Sequence, residues 1–283
     1  MLNFRKREGL VSDSVQYDFQ YGLIYRNPDK QKIARDILER YTGSDIKDFN
    51  QQIILTNFHA YLDYFEENYE GQVYHGSVMS VVHSPKVHVS MIDFKIGSPT
   101  AALIIECISV LDPQAVLFLG MCGGLHPSLK VGDFILPMAA IRDEGVSRHF
   151  IPPQVPSLPT FKIQKFVSQV IVDHGFDYRT GVIHTTDYRF WEFDEVFKKQ
   201  LYEERAIAID MECAALFSVG FVSKVPVGAL LLVSDLPLVH GGIKTKASSK
   251  QVFSTYTGRH IQFGIESMIG IQDKGEHIRH YRW

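Results

Sequence analysis

The chain has 283 residues, of which 45% are hydrophobic and 22% charged, and its formal net charge is -3. That length suits one large α/β domain with an extension, and the slight negative charge excludes a general electrostatic grip on nucleic acid, which needs concentrated positive charge. Cys107, Cys122 and Cys213 form no CxxC pair, no apolar run approaches the roughly 18 residues of a membrane helix, and MLNFRKREGL lacks a signal peptide's apolar core, so the expectation is a cytoplasmic protein without zinc site, disulfide framework or membrane anchor.

In chain order, IARDILERY places apolar residues at helical spacing from about residue 29 to 41, and Thr42-Gly43-Ser44 breaks the pattern. This predicts a helical extension over residues 1–48. Short β-branched runs follow at 53–55, 87–92, 115–119, 206–209 and 227–233, most of them leading into a helical pattern. Strands alternating with helices predict an α/β fold of three layers, with a mostly parallel central sheet flanked by helices.

Ligands in such sheets gather beyond the carboxyl ends of the strands, so the residues after each run carry the information. The first run leads into Thr56-Asn57-Phe58. The second leads toward Gly97-Ser98-Pro99, where Ser98 can cap a helix that Pro99 opens. The third opens into Gly120-Met121-Cys122-Gly123-Gly124. That glycine tract reads either as a tight strand-to-helix turn or as exposed backbone against which a ribose or base can lie. Cys122 has no evident partner base, which argues against a nucleophilic cysteine.

In AIDMECAALF, Asp210 is accounted for as a helix-dipole partner, whereas Glu212 stands where a carboxylate can accept both hydroxyls of a ribose diol and Met211 can pack on the sugar. VSDLP sets Ser234 and Asp235 after the apolar GALLLV, where burial raises a carboxyl's pKa and suits it to general acid work. TTDYRFWEFD brings Arg189, Phe190 and Trp191 after a strand at 181–184. These rings belong to the core or, next to an arginine, stack a purine. The histidines show no HExxH spacing, so no metal or cofactor is expected.

Together and in this order, the strand-end motifs resemble the nucleoside phosphorylase and nucleosidase superfamily. Within it RYTGSDIKDF, LTNF, LFLGMCGGL, GDFILPMAAIRDEG, PPQVP, TTDYRFWE, AIDMECA and GALLLVSDLPL are similar to AMP nucleosidases, from about Ile33 to Ile271. The resemblance implies a nucleoside phosphorylase-like domain over 49–271, followed by a basic-aromatic tail over 272–283. It implies hydrolysis of AMP to adenine and ribose 5-phosphate, with Asp235 protonating the leaving base at N7, Glu212 and Met211 holding the ribose, and Asn57 near the sugar. Cys122, Gly123, Gly124 and Ser234 would line the site. The 5′-phosphate would be held by cations among Arg142, Arg189 and Lys244, and Phe190 and Trp191 would border the base.

The resemblance is to a short form, without the N-terminal domain that long members carry, and it implies a homo-oligomer, a hexamer being expected. Phosphorylases grip phosphate with an arginine and a serine at positions that here are Phe118 and Met121, so water is the expected nucleophile. Two alternatives stay open: a purine nucleoside phosphorylase or thioadenosine-type nucleosidase on the same fold, and a catalytically weak nucleotide-binding module.

Overall fold

The computed structural model describes residues 27–273. The first part of the extension, residues 1–26, and all but the beginning of the expected tail at 272–283 lie outside the described residues. Helix α1 (Pro28–Thr42) is set locally at both ends: the Asn27 side chain accepts hydrogen bonds from the Asp29 and Lys30 amides, and Gly43 closes the helix at a left-handed φ of 75°. Its Ala34 and Leu38 are buried against the rest of the domain.

The remaining elements are β1 (Gln52–Thr56), α2 (His59–Tyr69), β2 (Gln72–His75), β3 (Ser80–Ser84), β4 (Val89–Asp93), α3 (Ser98–Ile108), β5 (Ala115–Gly124) and β6 (Phe134–Asp143), then α4 (Phe161–Asp173), β7 (Arg179–Thr186), α5 (Glu195–Glu203), β8 (Ala208–Asp210), α6 (Cys213–Ser223), β9 (Val227–Asp235) and α7 (Lys246–Asp273). The strands form one sheet in the order β2-β3-β4-β1-β5-β8-β7-β6-β9, and β9 also pairs with β5. The five strands from β5 to β9 therefore close on themselves, and the closed part abuts an open wing.

Two apolar layers cover the sheet. On one side lies a core that includes Leu38 of α1, Ile104 of α3 and Phe217 of α6; on the other lies one that includes Phe65 of α2, Val167 of α4 and Phe263 of α7. The three-layer α/β expectation holds, but the sheet is mixed. Pairings β1–β4, β1–β5, β5–β9, β6–β7 and β7–β8 are parallel, while β2–β3, β3–β4, β5–β8 and β6–β9 are antiparallel. Among the described residues no helix is long and apolar enough to cross a membrane.

Two local expectations are corrected. The tract Gly120–Gly124 is no turn: it continues β5 as paired strand, with a bulge between Cys122 and Gly123 where it runs against β9. Its glycines answer a packing need rather than a dihedral one. A Cβ on Gly120 would stand 2.4 Å from the Phe118 ring, and one on Gly124 would stand 2.9 Å from Leu236. Ser98 does not cap α3; it is the helix's first residue, and its hydroxyl donates to the Met211 carbonyl at 2.7 Å.

Under α7 a polar chain crosses the core. Tyr61 O–H donates to His260 Nδ1 at 2.8 Å, and His260 Nε2–H donates to the Leu230 carbonyl at 2.9 Å. Full burial pushes the His260 pKa down to about 4. The unfolded chain, with an ordinary histidine, takes up this proton first as pH falls. Stability from this residue is thus present above the unfolded pKa of about 6.5 and is lost toward the folded one, by about 2 kcal/mol between pH 7 and 5. Urea unfolding across that range should show this slope, reduced in His260→Gln; an equally steep variant would remove His260 from the account.

Candidate active site

Strands β1, β5 and β9 run parallel and end at one edge of the sheet, delivering Asn57, the glycine tract and Asp235. The second set of groups comes from β8 and α6, and its position depends on Asp210. This side chain is buried, and its Oδ1 accepts from Thr185 Oγ1 at 2.5 Å while Oδ2 accepts from the amides of Cys213 at 2.7 Å and Glu212 at 3.3 Å. Asp210 therefore satisfies the open amides at the start of α6 from two residues upstream, a larger role than dipole compensation.

With its own amide held, Glu212 turns its carboxylate toward α3. Oε1 accepts from the Gly97 amide at 2.8 Å, Oε2 accepts from the Met211 amide at 3.3 Å, and the Asn57 side chain bonds it as well. Gly97 can present its amide because it adopts φ 97°, a conformation that other residues rarely reach. Burial, and then the negative charge of Asp210, push the Glu212 pKa up to about 8 against these hydrogen bonds. Asn57 Oδ1 is buried without a hydrogen-bond partner. Glu212, Met211 and Asn57 are thus brought together, as the sequence reading expected, and Gly97 and Ser98 join them.

Asp235 ends β9 beside Ser234, whose hydroxyl donates to Oδ1 at 2.6 Å and also leans on the Cys122 carbonyl at 3.4 Å. Burial raises the Asp235 pKa; the Ser234 hydrogen bond, Lys244 and Arg189 act in the opposite sense, and Glu192 adds to the rise. Lys244 is half-buried, with Nζ 3.5 Å from Met121 Sδ and 5.6 Å above the Phe58 ring, and desolvation lowers its pKa. A desolvated ammonium on a thioether and a ring is poised for an anion.

The other expected residues divide. Cys122 is buried with Sγ toward the Leu232 carbonyl, and burial raises its pKa well above the ordinary thiol value, so it is inert packing. Gly123 and Gly124 lie under Pro237 and Leu236 with their strand paired, which leaves little open backbone. Trp191 is 5% exposed and packs with Phe197, whereas Phe190, expected in the core or on a base, is 68% exposed.

Arg189 donates to Glu192 Oε1 at 2.6 Å, which engages part of its charge. Arg142 is directed elsewhere: its guanidinium donates to Ser147 Oγ and to the carbonyls of Ile151, Pro152 and Val155, stapling the loop after β6. As a phosphate ligand it is corrected on that ground, since little donor capacity is left. Among the described residues no group of three or more His, Cys, Asp or Glu is arranged to hold a metal ion.

Comparison with known proteins agrees with this architecture. Residues 42–267 match the Phosphorylase superfamily. AMP nucleosidase of Escherichia coli (strain K12) is 26% identical over 286 residues, covering 85% of this chain and 59% of that protein, so the chain spans about three fifths of the length of that relative. The crystal structure of AMP nucleosidase from Bacteroides thetaiotaomicron VPI-5482 is 39% identical, with a TM-score of 0.76, and the match covers 87% of this chain and 98% of that one. Uridine phosphorylase from Vibrio fischeri ES114, at 18% identity and a TM-score of 0.69 over 79% of this chain and 94% of its own, shares the fold.

The coupling of Asp210 to Glu212 has a measurable consequence. Asp210→Asn removes the charge that helps push Glu212 up, so Glu212 should titrate below about 8 and closer to an ordinary carboxyl. Carboxyl-carbon NMR of both proteins checks this; an unchanged midpoint would mean that burial alone sets the shift. The same variant should lose about 1–3 kcal/mol of stability, because an amide cannot accept all of the present hydrogen bonds.

Proposed function

The chain belongs to the Phosphorylase superfamily, and we propose that it hydrolyses AMP to adenine and ribose 5-phosphate. The observation that carries this reading is Asp235, a carboxyl whose own pKa is raised by burial and which ends a strand whose other residues are all buried. Adenine is a poor leaving anion. As the bond from C1′ to N9 breaks, its electron pair moves into the base and Asp235 hands a proton to N7. Water adds to C1′, and the proton that it releases restores the acid. General acid work of this kind is worth about a hundred- to ten-thousand-fold.

Glu212, Met211 and Asn57 hold the ribose in this reading, with the Asn57 Oδ1 accepting from a sugar hydroxyl and Glu212 hydrogen-bonding the diol. Lys244 is the cation for the 5′-phosphate. Water rather than phosphate is the nucleophile, because Phe118 is buried with its ring tilted against Phe94 and Met121 offers a thioether where phosphate would need a charge and a hydroxyl. The domain at 49–271 carries the activity in the cytoplasm. A homo-oligomer, a hexamer on this reading, is supported by apolar surface at Phe193, Val196 and Tyr202, all more than two thirds exposed.

Three outcomes are expected. Purified protein should release adenine from AMP in phosphate-free buffer and yield ribose 5-phosphate; a need for phosphate, with ribose 1,5-bisphosphate as product, would overturn hydrolysis. Asp235→Asn should lower kcat by about a hundred- to ten-thousand-fold with folding retained, and wild-type kcat should fall as pH rises through the raised Asp235 pKa. A kcat within about threefold of wild type would remove the proton donor. Lys244→Ala should raise KM for AMP about ten- to a hundred-fold more than for adenosine, and an equal effect on both would exclude it from the phosphate pocket.

A further inference from the structure

Glu192 lies in the short 3-10 turn Trp191–Phe193 that follows β7, and the ribose and proton-donor roles leave it unused. Its side chain is 5% exposed. Oε1 accepts from Arg189, but Oε2 is buried with no hydrogen-bond partner among the described residues. Buried carboxylate oxygens without a donor are rare in proteins, because desolvation is costly unless a hydrogen bond replaces water. Glu192 also acts electrostatically on Asp235, and so does the Arg189 to which it is bound. The orphaned oxygen thus belongs to the surroundings of the group that addresses N7 of the purine.

From this placement we infer that Glu192 selects the base, with Oε2 accepting a hydrogen bond from the 6-amino group of adenine. The chemistry follows from the edge on which N7 lies. Along that edge adenine offers N7 as an acceptor and the 6-amino group as a donor, whereas 6-oxopurines offer two acceptors. An ionised carboxylate only accepts. Placed close enough to the proton donor for N7 to act on its charge, it pairs with a 6-aminopurine and opposes the carbonyl of hypoxanthine or guanine. A site whose buried polar group is left unpaired by the wrong ligand rejects that ligand more strongly than an apolar pocket would. The phosphate of the nucleotide is an implausible occupant of this position, since it too presents only acceptors and negative charge. Arg189, held by Oε1, fixes the carboxylate so that Oε2 keeps its direction.

This inference rests on the AMP hydrolysis reading for its substrate and adds to it a reason for the base. The experiment compares kcat/KM for AMP and IMP in wild type and in Glu192→Gln, with folding checked by circular dichroism. Glutamine keeps the size and the bond to Arg189, so a purely structural Glu192 would leave the ratio of the two substrates unchanged. It also adds an N–H that can donate to a 6-oxo group. Wild type should favour AMP by at least about tenfold, and the variant should shift the ratio toward IMP by about tenfold or more; a ratio within about twofold of wild type overturns the assignment.

If Glu192→Gln does not fold, purine riboside 5′-monophosphate decides with wild type alone: lacking the 6-amino group, it should bind at least about tenfold more weakly than AMP, and equal binding overturns the proposal. Calorimetric binding of adenine and hypoxanthine keeps base selection apart from turnover. A protein that prefers adenine and cleaves no nucleotide retains the Glu192 assignment and loses the hydrolysis reading; equal binding of the two bases removes Glu192 as the selector even where AMP is cleaved.

Discussion

The site depends on the Asp210 carboxylate more than on any other single group. It is buried, and it joins the end of β7 through Thr185 to the first turn of α6 through the amides of Glu212 and Cys213. Thr185 extends the link by accepting from the Ala214 amide. A buried charge is tolerated only where hydrogen bonds replace its water, and here the three donors come from two separate stretches of the chain. Whatever holds Asp210 in place also aims Glu212. The bond from Ser98 to the Met211 carbonyl and that from Gly97 to Glu212 then tie α3 to the same corner.

This arrangement separates two acidic groups that must behave differently. Glu212 faces backbone amides and a second carboxylate, and it is raised by burial and charge repulsion together. Asp235 faces a hydroxyl and the cations Lys244 and Arg189, and burial, with a smaller contribution from Glu192, outweighs them. One environment, the proposed ribose site, is built largely from fixed N–H groups. The other, around the proposed proton donor, is built from side chains that shift its titration. Pairs of titratable groups in contrasting surroundings are the usual sign of divided roles at a reaction centre.

Much of this was legible before any coordinates, because a parallel strand ends where its apolar run stops and the next polar residue falls at the open edge. The positions of Asn57 and Asp235 follow from that rule, which after 206–209 points first to Asp210; Glu212 comes from the chemistry of a ribose diol and from the family resemblance. The rule failed where pattern and structure part. β6 carries Pro137 inside it and is not among the expected strands, and β2, with Tyr74 and Val73 only half-buried, offers no contrast between faces. Glycines of β5 looked like a turn because composition cannot tell a residue that needs positive φ from one that needs the absence of a Cβ.

Long side chains were the other source of error. Nothing in the spacing of IRDEG tells whether an arginine reaches a ligand or the carbonyls of its own loop, and Arg142 took the second course. Glu192 stood inside a quoted motif and was passed over, since its mark is an unpaired oxygen, which only coordinates reveal.

Unpaired atoms also bear on what the corner is for. A buried polar atom left without a partner costs about 1–3 kcal/mol, so chains retain few of them unless another molecule supplies the missing bond. Among the described residues the orphans are Thr56 Oγ1, Asn57 Oδ1, Glu144 Oε1, Glu192 Oε2 and Ser223 Oγ. Ser223 closes α6 at the end remote from Glu212. Thr56 and Asn57 sit at the carboxyl end of β1, and Glu192 follows β7, close enough to Asp235 to shift its titration. Three polar atoms without partners thus accompany one half-buried lysine that, among the described residues, has no carboxylate within ion-pair distance. A ligand that satisfied them all would carry hydroxyl or amino donors and one anionic group. A phosphorylated sugar joined to an amino-bearing base has that composition, and an uncharged nucleoside would bring no anion to Lys244.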